Sequence, residues 1–384
     1  METDALILIS DAGNHSATNA GAAPVTTAAD NMPSLPEEIA ILENRVSAAH
    51  LPKPIQEKAE GQIERLTRLS GRDYTLEADM TIRWIDWITA LPWENRAPST
   101  LDLTRAKQIL DRNHYGLDEV KQRILEYLAV MKLRQSTTIH NLPSTSQHAR
   151  APILLLVGLV GTGKTTLAYS IAESLNRPIV RIPFGGMGSA RDLRGQSRLH
   201  PEAEPGQVVK GLKQAGVKNP IMLLDELDRV ADEARHDIMG VLVELLDPEQ
   251  NKAFLDHYLD VPLDLSEVVF IATANNTNNI ATAVMDRLEP LSMPSYTDDQ
   301  KIVIAKDYLL PKAREEAGIP AEALVFDNDA WPLIVRPLGF DAGIRTLQRT
   351  IQGLSRKAAM DIVSNKNQAI HITKDNFKHY MGEW

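Results

Sequence analysis

The sequence predicts an α/β fold: a parallel sheet sandwiched by helices, preceded by a short helical region and followed by an all-α lid. Three observations carry this. Gly158-Leu-Val-Gly-Thr-Gly-Lys164-Thr165 matches G-x-x-x-x-G-K-[ST] in full. It lies between the apolar run Ile153–Val157 and a stretch with Leu167, Ile171 and Leu175 at helical spacing. Further apolar runs follow at Ile179–Ile182, Ile221–Leu224 and Val268–Thr273, with a short one around Leu288–Met293. Helical stretches separate the first strands, and alternating β and α with continuous apolar strands implies a parallel sheet covered on both faces. From Asp298 the pattern is helical throughout: Asp299–Leu309, Pro311–Ala317, Asp329–Arg336 and Ile344–Val363.

Taken in order, residues 1–34 are rich in Ala, Thr, Asn and Gly and read as a disordered tail. Residues 35–134 form a helical region. Leu51-Pro-Lys-Pro54 breaks it, and Ile55–Leu69 reads as a charged amphipathic helix. A third helix carries Met80, Ile82, Ile85, Trp87 and Ile88 and stops at Leu91-Pro-Trp93. Trp84 and Trp87 are read as packing rather than as an exposed binding face. Asp102 caps a helix to about Asn113; His114-Tyr-Gly-Leu117 turns; Asp118 starts a longer helix to about Leu133. A polar linker over 135–150 enters the α/β domain, 151–295, and the lid follows over 296–384.

Composition sets bounds. With 384 residues the chain suggests two or three domains, and the net charge of −10 gives no basic footprint, so nucleic acid is not indicated. Zero cysteines exclude disulfides and thiolate metal sites. No apolar run approaches the ~20 residues that span a bilayer, and the first residues lack a basic, signal-like start. The expectation is a cytoplasmic protein with no membrane partner.

The motif carries chemistry. Glycines let backbone N–H groups turn inward around phosphates, at a helix N-terminus that adds partial positive charge. Gly158, Leu159, Val160, Gly161, Thr162, Gly163, Lys164, Thr165 and Thr166 are therefore expected to hold a nucleoside triphosphate. Lys164 reaches the β- and γ-phosphates, and the Thr165 hydroxyl ligates Mg²⁺. About 60 residues on, Ile221-Met-Leu-Leu-Asp225-Glu226 is a buried strand ending in two acids. Asp225 would stand near Mg²⁺, and Glu226 would orient and activate the attacking water. Phe270-Ile-Ala-Thr-Ala-Asn275 ends in an amide that either holds the water or γ-phosphate or caps a turn. Arg287 and Arg345 lie beyond the strands; from spacing alone, surface salt bridging is the better reading of both.

Longer stretches narrow this. Leu91-Pro-Trp93, His114 to Val130, Asn219-Pro220, Leu246-Asp-Pro-Glu-Gln-Asn251 and Asp256-His-Tyr-Leu-Asp-Val-Pro262 resemble the ATPase region of Lon, a ring-forming AAA+ protease. So do Ile271-Ala-Thr-Ala-Asn275, Leu309-Leu-Pro-Lys312 and Ala342-Gly-Ile-Arg345. The resemblance covers about Leu51 to the C-terminus. It implies a P-loop AAA+ fold that hydrolyses ATP with Mg²⁺. It also implies Asn275 as sensor 1, Arg287 as an arginine finger serving a neighbouring subunit and Arg345 as sensor 2 within its own subunit. Tyr115 and Gly116 fall where the family cradles adenine. A finger acting across subunits implies a homo-oligomeric ring, most simply a hexamer.

The departures matter too. Lon carries a Ser-Lys proteolytic domain after the lid, and this sequence stops at His379-Tyr-Met-Gly-Glu-Trp384. Ser355 and Lys357 lie inside a lid helix, so no peptidase activity is expected of this chain. Where the first pore loop of the family carries a Tyr and an apolar residue, the chain reads His200-Pro201, followed by Glu202 and Glu204. The second, near Asp232–Asp237, shows Ala234 and His236 in place of bulkier gripping residues. Leu159-Val160 replaces Pro-Pro in the phosphate loop, at positions that supply no side chain to phosphate. Three readings follow: an ATPase that remodels polypeptides or delivers them to a separate protease, the ATPase piece of a complete Ser-Lys protease, and a non-threading ATP-dependent regulator or adaptor.

Overall fold

The computed structural model describes residues 35–68, 72–98, 101–137, 153–200, 202–336, 343–364 and 369–381. The expected tail, most of the linker, Pro201 and Ala342 lie outside these residues.

Three helices come first: α1 (Leu35–Ala48), α2 (Lys53–Thr67) and α3 (Arg72–Ala90). Pro54 stands in the first turn of α2, where its missing N–H costs no hydrogen bond, so the helix begins before Ile55. Trp84 and Trp87 pack, as expected. The Trp84 indole N–H donates to the Leu259 carbonyl at 2.9 Å, with Arg198 over its ring at 4.8 Å; Lys213 lies over Trp87 at 4.1 Å. In α4 (Leu103–Asn113) the Asp102 carboxylate accepts the Thr104 N–H at 2.9 Å, the cap read from sequence. α5 (Asp118–Thr137) runs about a turn past Leu133.

The central sheet comprises β1 (Ile153–Val157), β2 (Ile179–Pro183), β3 (Ile221–Asp225), β4 (Val269–Ala274) and β5 (Leu288–Ser292). It is parallel throughout, in the order β2-β3-β4-β1-β5. Register sets Leu154 beside Ile271 and Ile271 beside Leu223, so these share a face. That face packs under α4, α5 and α6 (Lys164–Leu175). Leu155, Met222, Leu224 and Phe270 point the other way, into a core shared with α1–α3 and the helices Gln207–Ala215 and Arg235–Leu246. A hairpin, Phe254–Asp256 with Val261–Leu263, joins that second core.

The lid has its own core around Trp331, Ile334, Leu347 and Ile351. It corrects the sequence reading twice. It is not all helical: Leu324–Phe326 pairs parallel with Ile370–Ile372. And Asp298–Ile304 does not stop before Pro311 but continues through a π turn, Ala305–Leu309, into Leu310–Glu316. Proline removes a donor and crowds the carbonyl four residues back, and a wider turn gives that ring room.

Candidate functional site

The phosphate loop leaves β1 and is bent by glycines that no other residue type replaces cheaply: Gly161 has φ +83° and Gly163 φ +92°. A Cβ on Gly158 would come within 2.7 Å of the Met293 backbone oxygen, so this glycine lets two chain segments touch. Leu159 and Val160 point outward, 57% and 39% exposed, as expected of positions that supply only backbone. The buried Lys164 ammonium donates to the carbonyls of Gly158 (2.6 Å) and Leu159 (3.0 Å) and to Asn275 Oδ1 (3.2 Å). Burial pulls its pKa below the usual lysine value, opposed by the charges of Asp228, Asp225 and Glu226. Thr162 is also buried; its hydroxyl donates to the Leu159 carbonyl, and its own carbonyl accepts from the Tyr296 hydroxyl at 3.3 Å. Thr166 is exposed, its hydroxyl bonded to the Gly163 carbonyl.

Asp225 closes β3, buried. Its Oδ1 lies 3.5 Å from the Thr165 hydroxyl and also accepts from the Thr273 hydroxyl, while Oδ2 takes Arg181 Nε at 2.6 Å. Glu226, next along, sits in the left-handed region at φ +61°. A non-glycine residue there carries roughly 1–2 kcal/mol of strain, the kind that collects at functional sites. Its N–H donates to the Thr273 hydroxyl at 2.9 Å, and its carboxylate faces Arg229 at 3.4 Å. Lys164, Thr165, Asp225, Glu226 and Asn275 thus gather at the C-terminal ends of three adjacent strands, where ligands bind in open parallel sheets.

The other expected residues approach from different sides. The lid reaches the loop directly: the Ile344 N–H donates to the Gly161 carbonyl at 3.0 Å. A Cβ on Gly161 would lie 3.1 Å from the Arg345 backbone nitrogen. The Arg345 side chain is exposed at the start of its helix. Tyr115 is half-buried and Gly116 has φ +62°, with Gln300 of the first lid helix about 3.8 Å from where a Gly116 Cβ would be. His114 pins this turn to α6 through Ser170 Oγ at 2.9 Å. Burial, aided by the Lys121 charge, lowers the His114 pKa to about 4.

Arg287 lies apart. Its carbonyl accepts the Ile153 N–H, at the end of β1 opposite the phosphate loop. A strand of five residues covers roughly 16 Å, so this guanidinium is far from its own chain's Lys164. It pairs with Asp247 at 2.9 Å and donates to the Ala283 carbonyl at 2.7 Å. Backbone N–H groups of Glu249 and Gln250 also bind Asp247. Ser355 is buried, and the Lys357 ammonium donates to the carbonyls of His379 and Met381, so the two form no nucleophile–base pair.

Sequence reasoning passed over Asp228, Arg181, Asp247 and Tyr296. Asp228 had a signal, a third acid in Asp225-Glu-Leu-Asp228; the others make contacts across strands that no local pattern reveals. Ala234, in the stretch compared with the family's second pore loop, is buried in the second core.

Residues 154–293 match the family described as "ATPase family associated with various cellular activities (AAA)", and residues 315–370 match the "Lon protease AAA+ ATPase lid domain". Similar curated proteins include "Lon protease 2" of Thermus thermophilus, 42% identical over 346 residues. That alignment takes in 90% of this chain and 43% of the relative. "Lon protease" of Heliobacterium modesticaldum is 40% identical over 89% of this chain and 40% of its own length. "Lon protease 1" of Sorangium cellulosum is 41% identical over 89% of this chain and 42% of its own. The chain carries the AAA+ ATPase region and lid of the Lon protease family. It spans about four-tenths of the length of the curated relatives it matches. As a Lon-family AAA+ ATPase region it is an ATP-binding chain. Among the described residues no helix is long and apolar enough to cross a membrane.

Proposed function

We propose that this Lon-family chain hydrolyses ATP with Mg²⁺ and uses the energy to remodel polypeptides or deliver them to a protease. The carrying observation is the convergence of Lys164, Thr165, Asp225, Glu226 and Asn275 on one sheet edge, with the lid docked on the same loop. Phosphate oxygens replace the carbonyls that Lys164 now holds. Glu226 takes the proton of the attacking water, and its strained backbone fixes its direction. Asn275 positions that water, and Arg345 closes over the nucleotide from the lid. Tyr115 and Gly116 flank the adenine.

Thr165 and Asp225 fit Mg²⁺: a hydroxyl and a buried carboxylate are hard oxygen donors, about 3.5 Å apart. Mg²⁺ is commonly held by one or two carboxylates together with waters and substrate phosphates, which one hydroxyl and one carboxylate would leave room for. When bound, Mg²⁺ neutralises developing charge on the phosphates.

Arg287, at the wrong end of β1 for its own site, supports the finger role in a neighbour's site and hence a ring, most simply a hexamer. The organisation proposed is a helical region over 35–134, an α/β domain over 151–295 and a lid over 296–384. A second reading, the ATPase section of a complete protease, is favoured by relatives that are named proteases and are more than twice as long as the matched segment.

Steady-state hydrolysis tests the first reading. Glu226→Gln keeps nucleotide affinity and loses about 10²- to 10⁴-fold in turnover, as for removal of a general base. Lys164→Ala loses binding instead. Unchanged turnover in Glu226→Gln would overturn the assignment.

A further inference from the structure

Asp228 is the third acid after β3, and it belongs to none of the roles above. The left-handed Glu226 turns the chain into the short helix Leu227–Arg229, and Asp228 comes back buried beneath the end of β4. Its carboxylate accepts the Asn275 N–H at 3.0 Å, Asn275 Nδ2 at 3.3 Å and Asn276 Nδ2 at 3.3 Å. Its carbonyl accepts Asn279 Nδ2 at 3.2 Å.

This fixes the Asn275 amide. A side-chain amide has a donor end and an acceptor end, and its flip is set by its partners. An ionised carboxylate only accepts, so the NH₂ end must face Asp228. A lysine ammonium only donates, so Oδ1 must face Lys164, as it does at 3.2 Å. Asn275 therefore offers an oxygen, not an N–H, to the space where the γ-phosphate and the attacking water meet. An oxygen there accepts a hydrogen bond from water; towards a phosphate oxygen it is repulsive.

We infer that Asp228 is a positioning residue for hydrolysis, locking Asn275 with its carbonyl oxygen towards the attacking water and the Lys164 ammonium. The inference rests on the ATPase reading and sharpens it: Asn275 acts as an acceptor that orients water, and it does so only while Asp228 holds its other end.

Asp228→Asn is the test, because it keeps the shape and lets the Asn275 amide turn over. ATP is the substrate, and nucleotide affinity is measured on each variant. Asp228→Asn should keep KM and affinity within about twofold and lose about 10- to 100-fold in kcat, the scale of one charge-assisted hydrogen bond. Asn275→Ala should lose a comparable factor. The double variant should lose no more than Asn275→Ala alone, because Asp228 acts through Asn275. Additive losses, a rise in KM matching the fall in kcat, or lost nucleotide affinity would each show a merely structural carboxylate and overturn the inference. So would unchanged kcat in Asp228→Asn. If instead Asn275→Ala turns over normally, the role given to Asn275 falls, and the inference with it.

Discussion

In the phosphate cradle, Lys164 has three acceptors, Asp225 is held by Thr165, Thr273 and Arg181, and Asn275 is gripped between Lys164 and Asp228. In the loop Gly195–Gly206 the described contacts lie at the base and flanks, where Lys210 pairs with Glu204 and the Gln196 N–H donates to the Glu204 carbonyl at 3.2 Å. There Asp256 accepts the Gly206 N–H at 2.8 Å and the His257 N–H binds the Arg194 carbonyl. Burial raises the Asp256 pKa, against the pull of the Gly206, Leu259 and Tyr258 N–H groups. Arg198 is tied back over Trp84, and beyond it Leu199 stands 84% exposed beside an exposed His200. The difference follows from what each region must hold. A phosphoryl transfer state has one geometry, so every group around it must be fixed; an exposed loop tip carries no such constraint, so it can vary while its buried anchor cannot. Leu199 thus sets an exposed apolar side chain directly before His200-Pro201.

The contrast can be broken from either side. On the chemical side, Arg287→Ala should lose up to about 10³-fold in turnover, as for other arginine fingers, while ATP affinity measured by fluorescence titration stays. Loss of binding instead would mean that Arg287 merely supports the fold through Asp247. On the loop side, Leu199→Ser should weaken binding of unfolded casein about tenfold, the worth of one exposed leucine brought out of water. Its ATP turnover without casein should not change. Equal casein binding by both proteins would remove Leu199 from any substrate surface. A pH-dependent effect is expected at the turn His114–Leu117. His114 has its folded pKa lowered to about 4 from 6.5, so the native state takes up fewer protons than the unfolded chain. Its contribution is intact above pH 6.5 and is lost as pH falls towards 4, by up to about 3 kcal/mol. His114→Gln should therefore flatten denaturant-measured stability across that window and leave its pH dependence above 7 unchanged.

How much was legible depended on range. The strands and the loop at Gly158–Thr165 were readable because continuous apolar runs and fixed glycine spacing are local. The pairing of Leu324–Phe326 with Ile370–Ile372 was not, since three-residue runs show no period and their partners lie over 40 residues apart. The joined lid helix escaped because Pro311 reads as a stop, and only the π turn removes the conflict. In the site, Asp225 and Glu226 announced themselves at a strand end. Arg181 did not, and Asp228, though visible as a third acid, takes its meaning from Asn275 across the sheet, as Arg181 does from Asp225. Arg287 could be placed by resemblance, but its distance from its own phosphate loop came only from the register of β1 and β5.

That distance makes the shared site the central claim, and sedimentation velocity tests it most directly. Glu226→Gln protein, which binds ATP without turning it over, is run with Mg²⁺ and ATP at tens of micromolar. The account predicts a ring-sized species that Arg287→Ala weakens and that disperses when nucleotide is removed. A monomer under those conditions, alongside wild-type turnover per subunit that does not depend on concentration, would contradict it.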